Sequence, residues 1–432
     1  MAKVDVITMG CSKNLVDSER VVKMLGDAGL SANHCEKPEG ADIVVINTCG
    51  FIGDAKEESI NMILDCCNAK EHGSVKQVYV MGCLSERYKK ELPAEIPEVD
   101  GWFGKFDWDG LVSRLTDRKT EKTKHSWERV LSTPPHSAYI KIAEGCNRFC
   151  AFCAIPIITG RFKSRSIEDI AAEVTDLVDK GVKEFNIIAQ DLSSYGLDLY
   201  GKQELATLID RIADIPGVEW IRLHYLYPAQ FPKDILDVMA RRDNVCKYID
   251  IALQHCSDKV LANMRRHITG EETERLLDEI RRKVPGIHIR TTLMVGFPGE
   301  DENAFEELLE FTKRQKFERM GAFAYCEEDD TFAAKNFEDI IPAEVKESRL
   351  AKLMSLQEQI AIYSNEMKIG KTMRVLIDRE TDEYYIGRTE FDSPEVDPEV
   401  LIAKKRILIP GNFVNVKVTD AMPFELIAEP LD

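Results

Sequence analysis

Apolar positions fall into a few runs separated by stretches with a three-to-four residue period. Residues 3–10, 41–48 and 76–82 are short, nearly continuous apolar runs ending in Gly, Thr or Gly. Between them, residues 15–29 and 55–67 place apolar side chains at helical spacing. Continuous apolar strands separated by amphipathic helices predict a parallel, doubly wound sheet over roughly the first 118 residues. Residues 119–135 are polar and end in Pro134-Pro135, as a linker does. A second alternation fills residues 136–340. Its six candidate strands lie at 138–143, 184–189, 220–225, 248–253, 287–295 and 320–325, with helical patterns such as 166–181 and 302–315 between them. Six strand-then-helix units predict a closed or partial (β/α) barrel. Residues 341–367 read as one long connecting helix. From 368 to 432 the period drops to two, in short runs at 371–378, 384–391, 400–405 and 413–421 broken by turn residues. That pattern predicts a small antiparallel barrel. The whole is an α/β multidomain chain.

Composition adds limits. A chain of 432 residues, 44% hydrophobic and 31% charged, suits a globular protein of two or three domains. No apolar run approaches the roughly 20 residues of a membrane span, and the first residues lack a signal-peptide pattern, so a cytoplasmic location is expected. The formal net charge of −18 disfavours a phosphate backbone as the main partner and suits a basic protein. In such a compartment twelve cysteines point to metal or catalytic chemistry more than to disulfides.

Three of them, Cys146, Cys150 and Cys153, stand in "EGCNRFCAFC", directly after the first strand of the second series. Three thiolates within eight residues can hold three irons of a [4Fe–4S] cube and leave the fourth open to a substrate's donor groups. A passive electron carrier uses four cysteines. A zinc knuckle would need a second nearby pair, and three unrelated buried thiols are the remaining alternative. Cys11, Cys49 and Cys83 each close one of the first three apolar runs. In a parallel sheet the C-terminal strand ends share one edge, so these three can converge on a second cluster; separately packed core thiols are the alternative. Cys35, Cys66, Cys67, Cys246, Cys256 and Cys326 lack either pattern and read as structural.

The spacing of Cys146, Cys150 and Cys153, with the aromatic Phe152 before the last, resembles the radical S-adenosylmethionine (radical-SAM) superfamily. Taken with "GCSKNLVDSE", "INTCGFI", "MGCLSERY", "IIAQDLSSYG", "IALQHCSDKVLANMRR" and "TTLMVGFPGE", nearly the whole chain resembles the methylthiotransferases of that superfamily. "IRLHYLYP" is most similar to the branch that modifies an aspartate of small-subunit ribosomal protein S12; the tRNA-modifying branch is similar overall. The resemblance implies a C-terminal TRAM domain, two [4Fe–4S] clusters and S-adenosylmethionine. It implies that one cofactor molecule methylates a sulfur at the N-terminal cluster. A second is split at the central cluster into methionine and a 5′-deoxyadenosyl radical, which takes hydrogen from the aspartate β-carbon before the methylthio group is captured. That carbon has no acidic proton, so a radical cofactor answers the chemical need. A flavodoxin- or ferredoxin-like electron donor, and S12 or the small ribosomal subunit as partner, are implied too. A non-catalytic iron–sulfur carrier is the alternative from another class.

Further candidates sit at strand ends. Gln190 and Asp191 follow the second barrel strand and could contact cofactor, with helix capping the alternative for Asp191. Gly296, Phe297, Pro298 and Gly299 follow the fifth and could bring backbone to an adenine or ribose, or form a plain turn. Arg161 and Arg165, just after the cysteine loop, could meet a carboxylate or face solvent. His224, Tyr225 and Tyr227 could orient a peptide or fill the barrel, and Gln254 and His255 end the fourth strand. Residues 368–432 hold 9 basic against 13 acidic residues, and "DSPEVDPEV" adds an acidic edge, offset by the basic spot Lys404, Lys405 and Arg406. An acidic barrel is a better platform for a basic protein than for RNA.

Overall fold

The computed structural model describes residues 2–38, 40–116, 125 and 127–431, so residues 119–124 and 126 of the expected linker at 119–135 lie outside the described residues. The first sheet is wholly parallel: β1 (Lys3–Thr8), β2 (Ser31–Cys35), β3 (Ile43–Thr48), β4 (Gln77–Gly82) and β5 (Gly101–Trp102), in the order β2-β1-β3-β4-β5. Two helices cover its two faces. Val44 and Ile46 pack with Ile63 of α2 (Gly53–Glu71), whereas Ile43 and Val45 pack with Val21, Val22 and Leu25 of α1 (Ser12–Asp27). The period-two alternation of a strand buried on both sides gives this division.

The second sheet holds β6 (Ser137–Lys141), β9 (Glu184–Ile188), β10 (Trp220–Leu226), β11 (Val245–Gln254), β12 (His288–Val295) and β13 (Arg319–Ala324), all parallel, in the order β13-β12-β11-β10-β9-β6. Between β6 and β9 a short antiparallel ribbon, β7 (Ala143–Glu144) with β8 (Lys163–Ser164), brackets the cysteine loop. The sheet does not close: β6 and β13 are its two edges, and the long helix Ala343–Glu366 packs beside β13 with Leu353 in the core.

The last five strands, β14 (Thr372–Glu380), β15 (Tyr384–Thr389), β16 (Glu399–Ala403), β17 (Phe413–Ala421) and β18 (Glu425–Pro430), form a closed barrel. It departs from the antiparallel expectation at one seam, where β16 and β18 run parallel. An odd number of strands cannot close in strict alternation, so a five-stranded barrel needs one such pair. The barrel docks on the N-terminal ends of the central strands through buried charge. Arg388 forms a fork on Glu184 at 2.7 and 2.8 Å, Arg319 reaches Asp392 at 2.6 Å, and Arg290 and the Tyr248 hydroxyl both reach Asp397. Asp392 and Asp397 are therefore internal partners and not the exposed acidic edge that the sequence suggested. Lys404 and Lys405 likewise pair with Glu380 and Glu429, which neutralises the basic spot.

Candidate functional site

Each of Cys11, Cys49 and Cys83 follows a strand of the first sheet, on the edge where the strands end. Glycine lets them approach: Gly10 has φ +88°, and a Cβ there would stand 2.8 Å from Cys49 Sγ. Cys83 Sγ lies 3.5 Å from Asn14 Oδ1 and 3.7 Å from Lys105 Nζ. Burial pushes the Cys83 thiol up to about 12, with Lys105 working the other way. Burial also raises Cys11, yet nearby Lys13 and the backbone N–H of Asn14 outweigh it and bring that thiol below its ordinary value. Cys11 and Cys49 feel each other electrostatically, as does Cys83 with both. The three thiols share one neighbourhood.

The second set lies in the loop between β7 and β8. Cys146 Sγ accepts the Arg148 N–H at 3.5 Å. Cys150 Sγ takes the Arg266 guanidinium at 3.3 Å and stands 3.7 Å from the Tyr227 hydroxyl. Arg266 is 2% exposed, and the Tyr227 ring is held between it and Arg148, at 4.0 and 4.2 Å. Buried cations and N–H donors aimed at sulfur suit thiolates that carry cluster charge. Burial pushes Cys146 up to about 12 and raises Cys153 further. Such thiols need a metal centre to ionise. Among the described residues no three His, Cys, Asp or Glu groups lie close enough to hold a single metal ion.

The two sets adjoin. Cys83 packs on Ala154 and Ile158, just past Cys153. A buried chain of charge crosses the same seam: Lys105 to Asp17 at 3.4 Å, Asp17 to Lys141, Lys141 to Glu144 at 2.8 Å, and Glu144 to Gln190. Burial would raise the Glu144 carboxyl, but Lys141 and Lys105 hold it down at about 2.

The remaining candidates divide. Gln190 faces this seam, and its Oε1 is buried without a partner among the described residues. Phe152 meets Phe297 edge-on at 6.3 Å, which sets the turn at Gly296 and Pro298 behind the cysteine loop. That turn is also structural: a Cβ on Gly296 would strike Lys346, and the Pro298 carbonyl accepts from Asn263. Asp191 caps the following turn through Ser193 N–H and accepts Arg148 at 2.7 Å, so capping and a supporting contact claim its carboxylate. Arg161 is exposed and stacks on Phe149 at 4.6 Å. Arg165 is drawn away to Asp169 and Glu173. His224 is buried on Asn186, and His255 is fully buried beside Glu300. Lys13, Lys105 and Glu144 were not singled out in the sequence, because their placement depends on the meeting of two domains. A cavity of about 890 Å³ lies at the other end of the strands, between His288, Tyr363, Lys368 and Phe391.

Comparison with known proteins fits this geometry. A model described as the radical SAM superfamily matches residues 140–312, one described as uncharacterized protein family UPF0004 matches 3–104, and one for the TRAM domain matches 369–431. The chain is 60% identical over 430 residues to a ribosomal protein uS12 methylthiotransferase RimO of Phocaeicola vulgatus, covering 99% of each. It is 59% identical to that of Bacteroides thetaiotaomicron, over 100% of this chain and 98% of the relative. For Cytophaga hutchinsonii the identity is 49%, over 99% and 97%. Among solved structures it is similar in fold to the radical S-adenosylmethionine methyltransferase TsrM of Kitasatospora setae, with a TM-score of 0.57 and 14% identity over 74% of this chain and 73% of the other. Identity of this degree along the entire length shows that the chain belongs to the ribosomal protein uS12 methylthiotransferase family of radical-SAM enzymes.

Proposed function

We propose that this chain adds a methylthio group to the β-carbon of an aspartate in ribosomal protein uS12. The full-length likeness to uS12 methylthiotransferases carries the reading. Cys146, Cys150 and Cys153 hold the radical-SAM cluster, and Cys11, Cys49 and Cys83 hold a second [4Fe–4S] cluster. When bound, these groups and S-adenosylmethionine supply the adenosyl radical that removes hydrogen and the sulfur that replaces it. The chain's own residues do the rest. Arg266 and Tyr227 orient Cys150 and offset the negative charge collected there. Gln190 presents an unpaired oxygen to the cofactor, and Phe152 with Gly296 and Pro298 forms the wall beside it. Asp191 acts through Arg148, and Arg161 contributes from the rim. Packing of Cys83 on Ala154 and Ile158 keeps the two centres adjacent, so a carbon radical meets sulfur before solvent. A flavodoxin- or ferredoxin-like protein supplies electrons. Among the described residues no helix is long and apolar enough to cross a membrane.

The reading is tested with anaerobically reconstituted enzyme offered uS12 and, separately, tRNA. A gain of one methylthio group on uS12 is expected, and a gain on tRNA alone would overturn it. In the Cys11/Cys49/Cys83 triple alanine variant, iron and acid-labile sulfide fall by half, while 5′-deoxyadenosine still forms. Undiminished iron would remove the second cluster.

A further inference from the structure

One cation at the seam between the two cysteine sets, Lys13, makes no hydrogen bond or close ion pair among the described residues. Lys13 lies two residues after Cys11, at the start of α1, and is half-buried. Its ammonium stands 3.5 Å from the centroid of the Tyr225 ring, across the boundary between the first and second sheets. Among the described residues no hydrogen bond or ion pair engages Lys13 Nζ, and none engages the Tyr225 hydroxyl. Lys105, the other lysine of this seam, is already spent on Asp17, Glu144 and Cys83. Lys13 also acts on the Cys11 thiol, but unlike Lys105 it is locked to no carboxylate within ion-pair distance among the described residues.

Tyr225 is held in an unusual way. It has φ +62°, a left-handed conformation that is strained for an aromatic residue and that clusters at functional sites. Its N–H donates to Asp250 at 3.4 Å, which fixes the bend. Two residues on, Tyr227 reaches Cys150. Along the chain, Lys13 thus stands two residues from Cys11, and Tyr225 two residues from the Tyr227 that reaches Cys150. A partly desolvated ammonium resting on a ring has weak stabilisation compared with a carboxylate partner. An anion arriving there gains a charge-assisted contact without first displacing another.

Resting on the protein-substrate reading above, we propose that Lys13, backed by Tyr225, binds the carboxylate of the target aspartate. This sets the adjacent β-carbon between the two cysteine sets and makes Lys13 a specificity-determining residue for an acidic side chain.

The test is a double-mutant cycle on reconstituted holoenzyme, read by fluorescence anisotropy with a labelled uS12 peptide spanning the target aspartate and with its Asp→Asn counterpart. Wild type should favour the aspartate peptide by about tenfold or more, in line with a charge-assisted contact. Lys13→Met should bring the two peptides within about threefold of each other, and Lys13→Arg should retain the preference, both with wild-type iron content. A Lys13→Met variant that keeps the full preference overturns the proposal. So does loss of iron in that variant together with loss of peptide, since Lys13 would then serve Cys11. A wild type that binds neither peptide sinks the protein-substrate reading itself, and this proposal with it.

Discussion

Lys368 shows what an unpaired charge does to stability when nothing arrives to meet it. It is 5% exposed, just past the helix that leads into the barrel, and among the described residues its Nζ hydrogen-bonds only Asn365 Oδ1, at 3.2 Å. Burial above all, and then the like charge of Arg319, push its amine down from 10.5 to about 8. An unfolded lysine stays protonated up to about pH 10.5, so between pH 8 and 10.5 the unfolded chain binds more protons than the folded one. Stability therefore rises with pH through that window, and below pH 8 the full penalty stands. The shift corresponds to about 3 kcal/mol. Lys368→Met keeps the methylene packing and removes the charge. Thermal unfolding at pH 7 should move up by several degrees, with the gain fading above pH 10. An equal gain at both pH values would trace it to packing instead. Lys13 differs in facing a seam where substrate can supply the missing charge.

Helices and strands set how the two cysteine sets face each other, and one short latch holds them. The helix α3 (Cys83–Arg87), which begins at a candidate ligand, is tied to the loop after β13: Arg87 and Lys56 share Glu328 at 2.8 and 2.9 Å, and the Tyr88 hydroxyl donates to Asp329 at 3.0 Å. Glu328→Gln leaves the buried Arg87 short of its charge, at a cost of about 3 kcal/mol. Amide exchange should quicken at 83–88 and 326–330, and methylthiolation should fall more steeply than S-adenosylmethionine cleavage. Equal losses would mean that the latch serves the whole fold and not the alignment. Sequence patterns foretold the strands that place these groups, since Ile43–Thr48 and Gln77–Gly82 are buried runs. They passed over Ser31–Cys35, an edge strand with few apolar side chains, and Glu425–Pro430, too short and charged to stand out. At the site, local spacing singled out Cys146, Cys150 and Cys153, and position at strand ends singled out Cys11, Cys49 and Cys83. Asp191 and Arg165 could not be sorted the same way, since Arg148 and Glu173 reach them only once the chain has folded.

At the scale of the molecule, the C-terminal barrel is built into the central sheet as part of one electrostatic core. Glu184 opens β9 of the central sheet and is fully buried, and it accepts Arg388 of the barrel twice, Arg222 of β10 at 3.2 Å and Ser137 Oγ at 2.7 Å. Arg388 in turn grips Asp378, which also meets His136 at 3.0 Å. Burial alone would raise the Glu184 carboxyl, but Arg388 and Arg222 hold it far below its ordinary 4.5. An unfolded glutamate takes up a proton near pH 4.5 while the folded one stays ionised. The contribution is thus complete above pH 4.5 and drains away as the solution becomes more acid. Glu184→Gln leaves two buried guanidiniums competing for Asp378 and backbone carbonyls, and should cost about 3–5 kcal/mol. Because the network joins both folds, the loss should lower the unfolding temperature of barrel and central sheet together. The difference from wild type should hold steady above about pH 4.5 and shrink as pH falls below it. If calorimetry instead gave a barrel transition moving alone, the barrel would be a tethered module. Its docking could then not help to position a substrate over the opposite end of the strands.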